Sequence, residues 1–200
     1  MPRPLPRLLL ATSNPGKARE VREILAGAGW EVVIPRDLGL AVAAPVETAR
    51  SYAENAVAKA VAAVRASGLP ALADDSGIEV DALDGAPGPL SARFGGATLT
   101  DAERCALLLR RLDVVPPARR AARFRAVVAL ALPGNRVITR EGVLEGRIAL
   151  APRGENGFGY DPVFELPDGR TAAELGAEKQ TISHRARALA SMAEVLRALG

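Results

Sequence analysis

The segment Thr12-Ser13-Asn14-Pro15-Gly16-Lys17 joins a short apolar run to a stretch with helical spacing. A strand–turn–helix junction of this kind aims backbone N–H groups and the positive end of a helix dipole at an anion. Gly16 permits close backbone approach, Lys17 adds a movable point charge, and Thr12 and Ser13 add hydroxyls. The Gly-x-x-x-x-Gly-Lys-[Ser/Thr] spacing of a Walker A loop is absent. An ordinary capped turn uses the same residues. Asp74-Asp75-Ser76-Gly77 carries a second chemistry. Adjacent carboxylates repel unless a cation or hydrogen bonds offset them, and oxygen ligands suit Mg²⁺ held together with substrate phosphates. A solvated Asp-Asp-Ser-Gly turn is the plainer reading.

Three further segments carry unusual side chains. Ser51-Tyr52-Ala53-Glu54-Asn55-Ala56 opens a helix on which Lys59 shares a stripe with Asn55, an arrangement that a solvated helix face also explains. Gly154–Pro162 interleaves glycines with Phe158, Tyr160 and Asp161. A ring on such a loop can stack on a nucleobase, worth ~1–3 kcal/mol, or it can cover the edge of a core. Asp161 could accept a hydrogen bond from a base edge. In Lys179-Gln180-Thr181-Ile182-Ser183-His184-Arg185, Ser183 caps the last helix. That puts His184 and Arg185 in its first turn, where cations oppose the helix dipole. The misplacement hints at acceptors on a ligand.

Of the 26 basic residues only Lys17, Lys59 and Lys179 are lysines. All three fall in these segments, where a compact charge differs in use from a guanidinium. The net charge of +3 forms no basic tail or patch of the sort that binds nucleic acid. One cysteine, Cys105, precludes an internal disulfide and suits a reducing cytoplasm. The run Leu8–Leu10 is too short for a membrane span or a secretory core.

The elements that must position these residues follow from periodicity and punctuation. Strands are expected at 7–11, 30–34, 71–73, 78–80, 123–132 and 137–150, the last two joined by Pro133-Gly134-Asn135. Helices are expected at 17–28, 51–67, 100–112, 171–175 and 183–199, with one helical turn at 89–94. Ser51/Glu54 and Thr100/Glu103 read as capping boxes. Asp74–Gly77 reads as a tight turn between two strands, and an acidic element surrounds Glu47. Two hundred residues fit one domain of α/β class with a bent, mixed β-sheet flanked by helices.

Taken in order from Leu9 to about Leu189, the five segments resemble the inosine/xanthosine triphosphatases, a family of pyrophosphatases for non-standard purine nucleoside triphosphates. The resemblance implies an elongated single domain over 1–200 with two lobes and an active-site cleft between them. It further implies a cytoplasmic homodimer using Mg²⁺, with a purine nucleoside triphosphate as substrate and neither nucleic acid nor membrane as partner. Thr12, Ser13, Asn14, Pro15, Gly16 and Lys17 would hold the triphosphate, with Lys59 reaching it from the second helix. Asp75 would be the metal-linked catalytic carboxylate, and Ser76 would touch substrate. Phe158 would stack on the purine, with Gly159, Tyr160 and Asp161 shaping its pocket. Lys179, His184 and Arg185 would contact the base and read its 6-oxo group. The family's Glu-Glu-Thr-Gly stretch is Val46-Glu47-Thr48-Ala49 here, so a metal ligand there would be Glu47.

The implied reaction is attack of water on the α-phosphorus of ITP, dITP or XTP, releasing pyrophosphate and a monophosphate. Two other readings remain at the sequence level. One is a Maf-like nucleotide pyrophosphatase, against which the motifs at Phe158–Asp161 and Ser183–Arg185 speak. The other is a non-catalytic nucleotide sensor.

Overall fold

The structure, a computed structural model, describes residues 4–12, 14–40 and 51–199. Its strands are β1 (Arg7–Leu10), β2 (Glu31–Val33), β3 (Ala71–Val80), β4 (Ala121–Ala131), β5 (Val137–Ile148) and β6 (Phe164–Glu165). They form one mixed sheet in the order β2-β1-β3-β4-β5-β6. β1 runs parallel to β2 and β3, and β6 antiparallel to β5. The helices are α1 (Pro15–Ile24), α2 (Tyr52–Ser67), α3 (Asp101–Arg111), α4 (Lys179–Ile182) and α5 (His184–Leu199). This is the mixed α/β architecture expected, with a short β6, a short α4 and several 3-10 turns; the short helix expected at 171–175 is a single 3-10 turn, Ala172–Glu174, and the helical turn expected at 89–94 is the 3-10 segment Gly88–Arg93.

Local chemistry sets the helix limits. Ser51 Oγ accepts from Glu54 N, and Gly68 ends α2 in the left-handed region at φ 71°. Thr100 and Glu103 close a reciprocal capping box on α3. α1 begins two residues before the apolar periodicity does, because Asn14 caps it and Pro15 occupies the first helical position. The expected turn at Asp74–Gly77 is not there. β3 runs unbroken through it, lying between β1 and β4 in the sheet, and partners described below take its carboxylates. The acidic element around Glu47 lies outside the described residues.

The chain divides into two units. The first comprises Met1–Asp75, Ala126–Gly142 and Arg185–Gly200, and the second Ser76–Arg125 and Val143–His184. In the first, strand alternation sorts side chains onto two faces. Leu8, Leu10, Leu72, Val128 and Leu130 pack with Val21 of α1, Leu25 at its C-cap, and Leu189, Met192 and Leu196 of α5. Ala73, Val127, Ala129 and Ala131 pack instead with Tyr52, Ala56 and Ala60 of α2. Each fully buried Leu contributes about 1.5–3 kcal/mol. The second unit has its own core, in which Phe124, Phe164, Leu108, Leu112, Ile148 and Tyr160 meet.

Candidate active site

The alternation of β3 decides what surrounds the two aspartates. Asp74 follows Leu72 onto the α1/α5 face, and Asp75 follows Ala73 onto the α2 face. Asp74 Oδ2 accordingly meets Lys17 Nζ of α1 at 2.8 Å and Arg185 Nε of α5 at 3.1 Å. Asp75 Oδ1 meets Lys59 Nζ at 2.8 Å, and its Oδ2 accepts from Asn55 Nδ2 at 3.0 Å, both partners lying on α2. The stripe shared by Asn55 and Lys59, four residues apart, thus grips one carboxylate. Adjacent in sequence, the two acids do not form a joint two-carboxylate clamp.

Burial sharpens these contacts. Both aspartates are buried. Burial alone would raise the Asp74 carboxyl, but the Lys17 ammonium and the Arg185 guanidinium outweigh it and hold Asp74 well below the usual carboxylate range. Burial pulls the Lys17 ammonium below its ordinary value; Asp74 opposes this, and the Arg185 and Lys59 charges add to it. The side chains of Lys17 and Lys59 keep 19% and 12% exposure, whereas Arg185 keeps 1%. The two lysines thus remain partly in reach of solvent. Arg185 is fixed between Asp74 and Glu20, whose Oε2 lies 2.8 Å from its Nη1. The acceptors that the sequence sought for this cation on a ligand are met in this structure by two carboxylates of the protein. His184 and Arg185 are both buried at the start of α5.

The phosphate-turn residues hold one another. Thr12 Oγ1 accepts from Asn14 N at 3.2 Å, and Asn14 Oδ1 from Lys17 N at 3.1 Å. A Cβ on Gly16 would lie 3.2 Å from that Oδ1, a tight approach that glycine avoids. Asn14 is thus a true N-cap, and its backbone O accepts from Ala18 N at 3.1 Å. Ser13 lies outside the described residues, as does Glu47. Ser76 is half-buried on β3. Among the described residues no three His, Cys, Asp or Glu side chains group to hold a metal. A carboxylate such as Asp75 fits Mg²⁺ only in the mode where phosphates and waters supply the other oxygens.

In the second unit the loop preceding β6 arranges the other predicted residues. The Phe158 ring is 39% exposed, and Lys179 Nζ sits 4.9 Å from its centroid. Asp161 is buried; its Oδ2 accepts from Phe158 N at 2.8 Å and pairs with Lys179. Gly157, at φ 83°, leaves room for that carboxylate, since a Cβ there would fall 2.0 Å from Oδ2. Tyr160 turns inward and donates to Ser91 O at 2.8 Å. Burial pushes its phenol above the ordinary value. So Tyr160 packs into the core, as the plainer reading of the loop had it, while Phe158 faces outward. His184 lies buried with its ring stacked on Phe124, centroids 4.9 Å apart.

Sequence reasoning left Glu20 and Asn55 without a role. Glu20 stands three residues after Lys17 on α1, a spacing that marks a shared helix face. For Asn55 the signal was the stripe it shares with Lys59.

The pattern that defines the Ham1 family matches residues 8–195. A dITP/XTP pyrophosphatase of Symbiobacterium thermophilum is 53% identical over 196 residues, 96% of each chain. One from Thermus thermophilus is 49% identical over 190 residues, 94% of this chain and 90% of its own. Among solved structures, a HAM1 protein from Coxiella burnetii matches with a TM-score of 0.88 at 40% identity, covering 97% of this chain and all of that one.

Proposed function

From the premise that the chain belongs to the Ham1 family, we propose that it hydrolyses ITP, dITP and XTP to the monophosphate and pyrophosphate. The observation that carries the reading is the convergence of Lys17, Lys59 and Arg185 on two buried carboxylates of β3, beside the capped start of α1. A site of this kind recognises polyanions through movable ammonium groups and backbone N–H donors.

The residues divide the work. Lys17 and the Thr12–Gly16 backbone would take the triphosphate, with Lys59 joining them. Their charge would stabilise the negative charge that develops on pyrophosphate as it leaves. Asp75, oriented by Lys59 and Asn55, would accept a proton from the attacking water. When bound with the substrate at Asp75, Mg²⁺ would supply charge neutralisation at the phosphates. Phe158 would stack on the purine, and Lys179 would donate to its 6-oxo oxygen. Adenine presents an amino group there and would leave that donor unpaired, which can discriminate strongly. In this reading Arg185 acts on Asp74 first. The enzyme would work on free nucleotides in the cytoplasm as a homodimer, as the resemblance implies, without nucleic acid. No described helix is long and apolar enough to cross a membrane.

Incubation with Mg²⁺ and ITP, XTP, dGTP or ATP, with both products identified, tests the proposal. Pyrophosphate and monophosphate should appear, faster from ITP and XTP than from ATP. Release of orthophosphate, equal rates on ATP and ITP, or tight binding without turnover would overturn it.

A further inference from the structure

Helix α3 contributes nothing to any motif above, yet it grips the loop that carries Phe158. Asp101 stands at the first position of α3 and Cys105 one turn later, so both side chains share a face. Asp101 Oδ2 accepts from Gly159 N at 2.7 Å. Cys105 Sγ donates to Gly159 O at 3.3 Å. One residue of the loop is thereby held at both its N–H and its C=O by one helix. The carboxylate bond is the stronger of the two, being charge-assisted and short. Asp101 Oδ1 is itself steadied by Arg104 Nη1 at 3.1 Å.

The neighbouring bonds fix the rest of the loop around Phe158. Phe158 N is held by Asp161, Tyr160 is anchored to Ser91 O, and Asp161 is paired with Lys179. The Phe158 ring is the part presented outward. Gly159 adopts φ 65°, so the turn immediately after Phe158 depends on a left-handed residue whose peptide groups need fixed partners. A ring on a loose loop must be ordered when a base stacks on it, and that cost subtracts from affinity. A ring on a pinned loop avoids it.

We propose that Asp101, seconded by Cys105, is a positioning residue for purine recognition: it fixes Gly159 so that the Phe158 ring and Lys179 are pre-set for the base. The proposal rests on the reading that Phe158 and Lys179 take the base. Asp101→Ala should raise KM for XTP and ITP roughly tenfold, the factor matching loss of one charge-assisted hydrogen bond, while kcat changes little. Asp101→Asn keeps an acceptor oxygen and should recover most of the loss. Inorganic tripolyphosphate, used as a competitive inhibitor, lacks a base, and its inhibition constant should be the same in Asp101→Ala and parent. A structural role in α3 alone would lower Tm and leave KM for XTP unmoved, which overturns the proposal. So would an equal loss of affinity for tripolyphosphate. Phe158→Ala separates the two levels. If it raises KM for XTP and Asp101→Ala does not, positioning by Asp101 fails and the base site stands. If Phe158→Ala leaves KM for XTP unchanged, the base-site reading fails and this proposal falls with it.

Discussion

Around Asp74 and Asp75, charged side chains from three helices meet a strand, and most contacts join one formal charge to another. Around Phe158 most of the contacts run to backbone: Asp161 to Phe158 N, Asp101 to Gly159 N, Cys105 to Gly159 O. The first region is held by electrostatics in a place largely closed to water, where a missing partner is costly. The second is held by geometry, through left-handed glycines and side chains that clasp peptide groups. A region that must bind and cleave a phosphate chain needs charge. One that must tell one flat ring from another needs a fixed surface and few donors.

The deepest break should come at Asp75. Asp75→Asn keeps the size of the side chain and removes its basicity. Turnover of ITP should fall by about 10²–10⁴ with substrate affinity much less affected. Retention of the parent rate, followed by pyrophosphate release, would remove Asp75 from the reaction.

Asp74 should answer in stability. Asp74→Ala leaves Lys17 and Arg185 buried with one fewer carboxylate, at a cost of about 3–5 kcal/mol in urea-induced unfolding. The same residue sets an acid limit. The fold depresses its carboxyl, so its contribution is complete above the unfolded value of about 4 and is lost as pH falls below that toward the folded value. The stability of the parent should decline through that window, and that of Asp74→Ala should decline less. An equal decline in both proteins would mean that the charges around Asp74 do not stabilise the fold.

On the aromatic side the effect should be smaller and confined to affinity. Phe158→Ala should cost about 1–3 kcal/mol in binding XTP, read as KM, with unfolding nearly unchanged because the ring is partly exposed. A large loss of stability would mean the ring belongs to the core, as Tyr160 does, and the contrast between the regions would blur.

Much of this division was legible in the sequence, and the parts that were not share a cause. The three lysines, the Asn14 cap, the Ser51 and Thr100 caps and the loop glycines act through neighbours a few residues away, so spacing revealed them. Asp74–Gly77 misled because Asp-Asp-Ser-Gly is good turn chemistry locally, whereas its strand form depends on partners 15 to 111 residues away. The opposite facing of Asp74 and Asp75 follows from strand alternation once the strand is known. Arg185 read as a ligand contact because its carboxylate partners, Asp74 and Glu20, are remote in sequence. Asp101 gave no signal at all, since a first-turn acid is ordinary helix chemistry.

The smallest change offers the finest test of whether α3 is a rigid support. Thr100 and Glu103 close its capping box, with Thr100 N donating to Glu103 Oε2 at 2.7 Å and Thr100 Oγ1 accepting from Glu103 N at 3.3 Å. Hydrogen bonds from the Thr100 backbone and hydroxyl hold the Glu103 carboxyl below its usual range. Thr100→Ala removes the hydroxyl and should cost about 1 kcal/mol of stability, seen as a lower urea midpoint at unchanged m-value. The buried body of α3, Cys105 and Leu108, remains packed in its core, so the helix should fray only where the cap was. Asp101 sits at that end. If its grip on Gly159 depends on an intact first turn, KM for XTP should rise by a small factor in step with the loss of the cap. If the Cys105 contact and the packed body of the helix suffice, KM should stay at the parent value while stability drops. The size of that coupling measures how much of purine recognition is stored in the support rather than in the loop.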